Sequence, residues 1–71
     1  MLISYDKMAD AMYIKLNEKK YAQNKRIMDG IALDLDADGD IIGIEILHVS
    51  TRVTNPYEII GRYTAEADMT R

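Results

Sequence analysis

The 71-residue chain has no cysteine, no tryptophan, no phenylalanine, one proline and one histidine, His48. Without cysteine there is no disulfide framework, and one histidine without thiols leaves a structural zinc site short of ligands. No apolar run approaches the roughly 20 residues that span a bilayer. Met1 to Leu16 shows neither the basic start nor the apolar core of a signal peptide, so a cytoplasmic protein is expected. The glycines Gly30, Gly39, Gly43 and Gly61 are isolated, which excludes a phosphate-cradling loop and a nucleophile elbow. A net charge of -3 supplies no excess of Lys and Arg to meet phosphates, which argues against nucleic-acid binding.

What is present is aliphatic: 48% of residues are hydrophobic, a globular level that argues against disorder. A core drawn from so short a chain supplies about 3 to 5 kcal/mol. With disulfides excluded and a zinc site short of ligands, the remaining ordinary support is self-association, so a homo-oligomer is expected. No repeat or linker divides the sequence, which reads as one domain over 1–71 with residues from about 66 onward frayed. Lys15, Lys19, Lys20, Lys25 and Arg26 precede Asp34, Asp36, Asp38, Asp40 and Glu45. Neighbouring strands that neutralise one another explain that order.

The stretch LISY reads as a first short strand, and AMYIKL alternates apolar and other residues as a second. Met8, Met12 and Leu16 also fit a helical spacing, so a helix competes there. YAQNKRIM is polar enough for an edge strand, protected by its charges. IALDLD alternates strictly and DIIGIEILHV is rich in β-branched side chains, with Asp38-Gly39 between them as a two-residue turn. That turn pairs Leu35 with Ile42, Leu33 with Ile44 and Ile31 with Ile46 on one face. On the other it pairs Asp36 with Ile41, Asp34 with Gly43 and Ala32 with Glu45. In NPYEIIGRY, Asn55 is an N-cap, Pro56 the first helical residue and Glu58 the third, so a short helix over 56–63 is predicted. The fold class is α+β: four or five antiparallel strands in hairpins, then a short C-terminal helix.

The run DLDADGDIIGIE, residues 34–45, matches an EF-hand calcium loop, with Asp34, Asp36, Asp38, Gly39, Ile41 and Glu45 at its diagnostic places. An EF-hand needs helices on both sides, whereas Gly30 and the β-branched exit point to strands. The hairpin reading therefore displaces it. A weak cation at Asp36, Asp38 and Asp40 stays as an alternative, though clustered turn carboxylates are ordinarily solvated.

ISYDKMADAMYIKL at the start and DGIALDLDADGDIIGIEIL further on, closed by a short helix, resemble the small prokaryotic family known as domain of unknown function 2283. The likeness covers roughly residues 1–65. It implies a compact antiparallel sheet with a C-terminal helix, favours a strand at Ala11 to Leu16, and assigns no catalytic residue. Some members of that family are encoded beside small ribonuclease-type toxins, which implies an antitoxin-like neutralising role as an alternative. Antitoxins commonly carry a long tail that wraps the toxin, and this sequence stops within about six residues of its last predicted helix.

No catalytic constellation emerges. Histidine is the residue type suited to acid-base work near neutral pH, but on a strand Glu45 points to the opposite face from His48, and His48 reads as structural or solvated. Ser50 and Thr51 read as capping or turn residues, and Asp6 and Asp10 as turn formers between the first two strands. The tyrosines Tyr5, Tyr13, Tyr21, Tyr57 and Tyr63 are dispersed and do not form a base-stacking platform. No cofactor is expected, and the chain reads as a non-enzymatic self-associating or partner-binding module. The candidate interface is Ile41, Leu47 and Ala32, on the sheet face that the C-terminal helix would leave open.

Overall fold

A computed structural model describes residues 1–58. Five strands form one antiparallel sheet: β1 (Leu2–Asp6), β2 (Ala11–Lys15), β3 (Gln23–Met28), β4 (Ile31–Leu35) and β5 (Ile41–Leu47). Their order across the sheet is β1-β2-β5-β4-β3. The β1-β2 hairpin thus docks against the last strand of the β3-β4-β5 meander. The alternation of AMYIK settles as strand, because Met12 pairs with Ile46 and Ile14 with Ile44 on one aliphatic row.

That row continues across the sheet. Ile3 lies opposite Ile14, Tyr5 opposite Met12, Leu33 opposite Ile44 and Ile31 opposite Ile46. Directly opposed side chains share a face, so one face is aliphatic. The other carries Tyr13, Glu45, Asp34 and Asn24. β3 is exposed along its whole length, as its charges led one to expect of an edge strand. Its first expected residues, Tyr21 and Ala22, belong instead to the connection from β2.

The β4-β5 connection differs from the expected two-residue turn. Asp36 N–H donates to the Asp40 carbonyl at 2.9 Å and Gly39 N–H to the Asp36 carbonyl at 3.1 Å, enclosing a three-residue loop of Ala37, Asp38 and Gly39. Gly39 takes the left-handed conformation, φ 86, that such loops need at their last position. The cause is the Asp36 side chain. Its Oδ1 accepts the N–H groups of both Asp38 and Asp40 at 2.9 Å, a local alternative to ladder pairing.

A three-residue loop moves the register by one, which would turn every β5 side chain to the wrong face. A bulge absorbs the shift. Leu35 pairs with Ile41 rather than with Ile42, and Asp36 no longer opposes Ile41. The next pair, Asp34 with Gly43, is back in the expected register, and so are Leu33-Ile44, Ala32-Glu45 and Ile31-Ile46. Burial of Leu35 and Ile42 explains why the bulge sits there, since it keeps both inside.

β5 ends at Leu47, two residues short of the predicted Val49. His48 turns left-handed at φ 53 and starts a one-turn helix, α1 (Val49–Arg52), where the sequence predicts a strand end at Val49 and capping or turn residues at Ser50 and Thr51. Asn55 Oδ1 accepts the Tyr57 N–H at 3.1 Å, as an N-cap should, and residues 56–58 are helical. The remainder of the predicted helix to residue 63, and the frayed tail from 66, lie outside the described residues. Among the described residues the buried hydrophobic core is Met12, Leu35, Ile42 and Val49, and no helix is long and apolar enough to cross a membrane.

Candidate functional site

The densest polar cluster forms where the β1-β2 turn meets α1. Asp10, held left-handed at φ 51, directs its carboxylate at three donors. These are the Ser50 hydroxyl at 2.6 Å, the Tyr5 hydroxyl at 2.7 Å and the Ser50 N–H at 3.0 Å. Its own carbonyl accepts the Val49 N–H at 3.1 Å. Asp6 shapes the same turn by accepting the N–H groups of Met8 and Ala9 at 3.0 and 3.2 Å, the turn-forming role expected of it.

The Ser50 hydroxyl bond, followed by that from Tyr5, holds the Asp10 carboxyl below the usual carboxylate range. The same bond to Asp10 pushes the Tyr5 phenol up to about 12. The imidazole of His48 makes no hydrogen bond among the described residues. Ser50 therefore donates straight to a carboxylate with no imidazole between them, so the base-to-nucleophile contact of a catalytic triad is missing. What the cluster does is staple α1 to the β1-β2 turn. Arg52 adds a second staple, from Nε to the Leu47 carbonyl at 3.1 Å and from Nη2 to the Asp29 carbonyl at 2.8 Å.

On the polar sheet face, Tyr13 reaches across β5 to Asp34. Its hydroxyl donates to Asp34 Oδ2 at 2.8 Å, while Asn24 Nδ2 donates to Oδ1 at 2.9 Å. Gly43 is what allows the crossing, because a Cβ there would collide with the Tyr13 phenol. Burial, then the bond to Asp34, pushes the Tyr13 phenol up to about 12.

The residues of the calcium-loop pattern are engaged otherwise. Asp34 is bonded to Tyr13 and Asn24, and Asp36 Oδ1 to backbone N–H groups. The Lys19 ammonium stands 3.7 Å from Asp40 and 4.0 Å from Asp36. Strands β4 and β5 flank the run where helices would be required. No set of three or more His, Asp or Glu side chains able to hold a metal occurs among the described residues. Millimolar calcium is expected to leave the midpoint of thermal unfolding unchanged in a fluorimetric melt; an upward shift would restore the calcium reading through mass action.

The candidate interface residues are distributed along β5 and the neighbouring β4. Ala32 pairs with Glu45 and Leu47 with Ala11 toward one end of β5, while Ile41 stands at the bulge at the other end. Six residues of strand, about 20 Å, separate Ile41 from Leu47. The aliphatic face is the larger apolar surface: Ile14, Ile31, Leu33, Ile44 and Ile46 are each only half-buried. Tyr57 meets it at one margin, its ring edge-on to Tyr5 at 5.3 Å. Alternation made the face readable in the sequence, but the Asp10-Ser50 staple left no signal there.

No curated protein and no solved structure matches this chain. One family model does, that of the Protein of unknown function family (DUF2283), over residues 2–50. That span takes in all five strands together with the Asp10 and Ser50 that staple them to α1, and the chain belongs to this family.

Proposed function

We propose that the chain is a non-enzymatic association module of the cytoplasm, which works by laying the aliphatic face of its sheet against another protein surface, in the first place a second copy of itself. The observation that carries this reading is the single-layer sheet with half-buried Ile14, Ile31, Leu33, Ile44 and Ile46. A stable domain buries its apolar face beneath a second layer. Among the described residues that layer amounts to α1 and the turn entering at residue 56, both at one end. The direct hydroxyl-to-carboxylate bond of Ser50 and Asp10 supports a structural rather than catalytic use of the polar cluster.

Native mass spectrometry of the purified protein at about 50 μM, a concentration at which a micromolar dimer is mostly assembled, tests this. A multiple of 8.1 kDa is expected. A lone 8.1 kDa species would overturn self-association and leave residues 59–71 of the same chain to cover the face. A small basic polypeptide retained from host lysate would move the reading to a neutralising partner.

A further inference from the structure

Resting on the association reading, we propose that two copies join edge to edge through β1, antiparallel about a two-fold axis at Ser4, to make one continuous ten-stranded sheet. Among the described residues the two free edges of the sheet are β1 and β3, and they are guarded very differently. β3 carries Lys25 and Arg26, and its ladder with β4 is interrupted by a bulge between Arg26 and Met28. Both are devices that keep further strands from adding. β1 has neither. Its sequence is LISYD, uncharged through Tyr5 and without proline, and its pairing with β2 runs unbroken from Leu2 to Asp6. Met1 and Leu2 remain 65% and 61% exposed there.

The occupant follows from the symmetry of the strand. A two-fold axis normal to the sheet makes like strands antiparallel and keeps each face on its own side. Opposed side chains must then share a face, which requires opposed residues of the same parity. Centring on Ser4 satisfies this for all five residues: Leu2 of one copy lies opposite Asp6 of the other, Ile3 opposite Tyr5, and Ser4 opposite Ser4. Shifting the axis to Ile3 or Tyr5 keeps the parity but leaves only three opposed positions. Two Ile3-Tyr5 pairs flank the axis, a β-branched residue against an aromatic, among the favoured cross-strand combinations. They lie on the aliphatic face, beside Ile14 and Met12. The join therefore makes the aliphatic faces of the two copies continuous.

The natural absence of cysteine makes the geometry directly readable. Opposed positions of an antiparallel pair have Cα atoms about 4.5 to 5.5 Å apart, within disulfide reach. Ser4 is exposed, and Arg26 occupies the same cross-strand row at the opposite edge, through Tyr13, Glu45 and Ala32. Under mild oxidation Ser4→Cys is expected to form a disulfide dimer at least roughly tenfold faster than Arg26→Cys, because the join raises the effective concentration of one thiol near the other. Ser4→Lys, which sets two ammonium groups face to face, is expected to weaken the dimer at least roughly tenfold while the circular dichroism spectrum keeps its wild-type shape at a temperature well below unfolding. Equal oxidation rates, or a Ser4→Lys protein of unchanged mass, would overturn the edge join. If the wild type is nonetheless a multimer, the association reading survives through the aliphatic face alone; a monomeric wild type ends both.

Discussion

Gly43→Val is expected to destabilise the domain by about 1–3 kcal/mol, the usual cost of forcing extra carbons into a packed site. In a domain this small that lowers the midpoint of thermal unfolding by about 4–8 °C for each kcal/mol. The cost comes from geometry rather than from the backbone freedom of glycine, since Gly43 does not adopt a positive φ. The Tyr13 phenol occupies the space a side chain would need, and its hydroxyl is tied down at Asp34. Pushing the ring away breaks that bond and leaves Asp34 with Asn24 alone. Tyr13→Phe keeps the ring and removes only the hydrogen bond, at a smaller expected cost of about 1 kcal/mol. A double-mutant cycle makes the claim specific: in a Tyr13→Ala background the added cost of Gly43→Val should largely vanish. An undiminished penalty there would locate the strain elsewhere in β5.

Asp10→Ala is expected to be the most damaging exchange of any single carboxylate in the described part of the chain. It removes the acceptor for the Ser50 hydroxyl, the Ser50 N–H and the Tyr5 hydroxyl together. It also leaves an alanine at φ 51, a left-handed conformation that aspartate and asparagine tolerate better. Asp10→Asn should accordingly be milder, as it keeps the conformation and one carbonyl acceptor. Denaturant melts of the two variants rank them, and equal losses would show that backbone strain contributes nothing.

Acid adds a second signature to Asp10. Its carboxyl is held below the ordinary range in the folded protein, so the unfolded chain binds the proton more readily. The stability Asp10 contributes is therefore complete above its unfolded value, about 3.9, and is lost as the pH falls through the lower folded value. The thermal midpoint of the wild type should drop on acidification below about pH 4, and Asp10→Asn should flatten that part of the curve. An identical slope in the variant would assign the acid sensitivity to other carboxylates.

Much of the architecture was already readable in the chain. Strict alternation at Ile31, Leu33 and Leu35 against Ile42, Ile44 and Ile46 predicted correctly the four pairs of the β4-β5 hairpin farthest from the turn, because a side-chain period of two allows only one face to be buried. The polar composition of YAQNKRIM marked an edge, and Asn55-Pro56 marked a cap. The bulge at Ile42 was not legible. It depends on the Asp36 side chain capturing two backbone N–H groups in a three-residue loop, a choice that alternation does not encode.

By itself the sequence determined the strand content, the aliphatic face and the absence of disulfides, since each follows from residue type and short-range period. Only the tertiary structure decided that β5 is inserted between β2 and β4, that Tyr13 crosses Gly43 to reach Asp34, and that Asp10 holds Ser50. Those contacts join residues 21 and 40 positions apart. Local propensity carries no information at such separations; the contacts form once burial of the aliphatic rows has already brought the strands together.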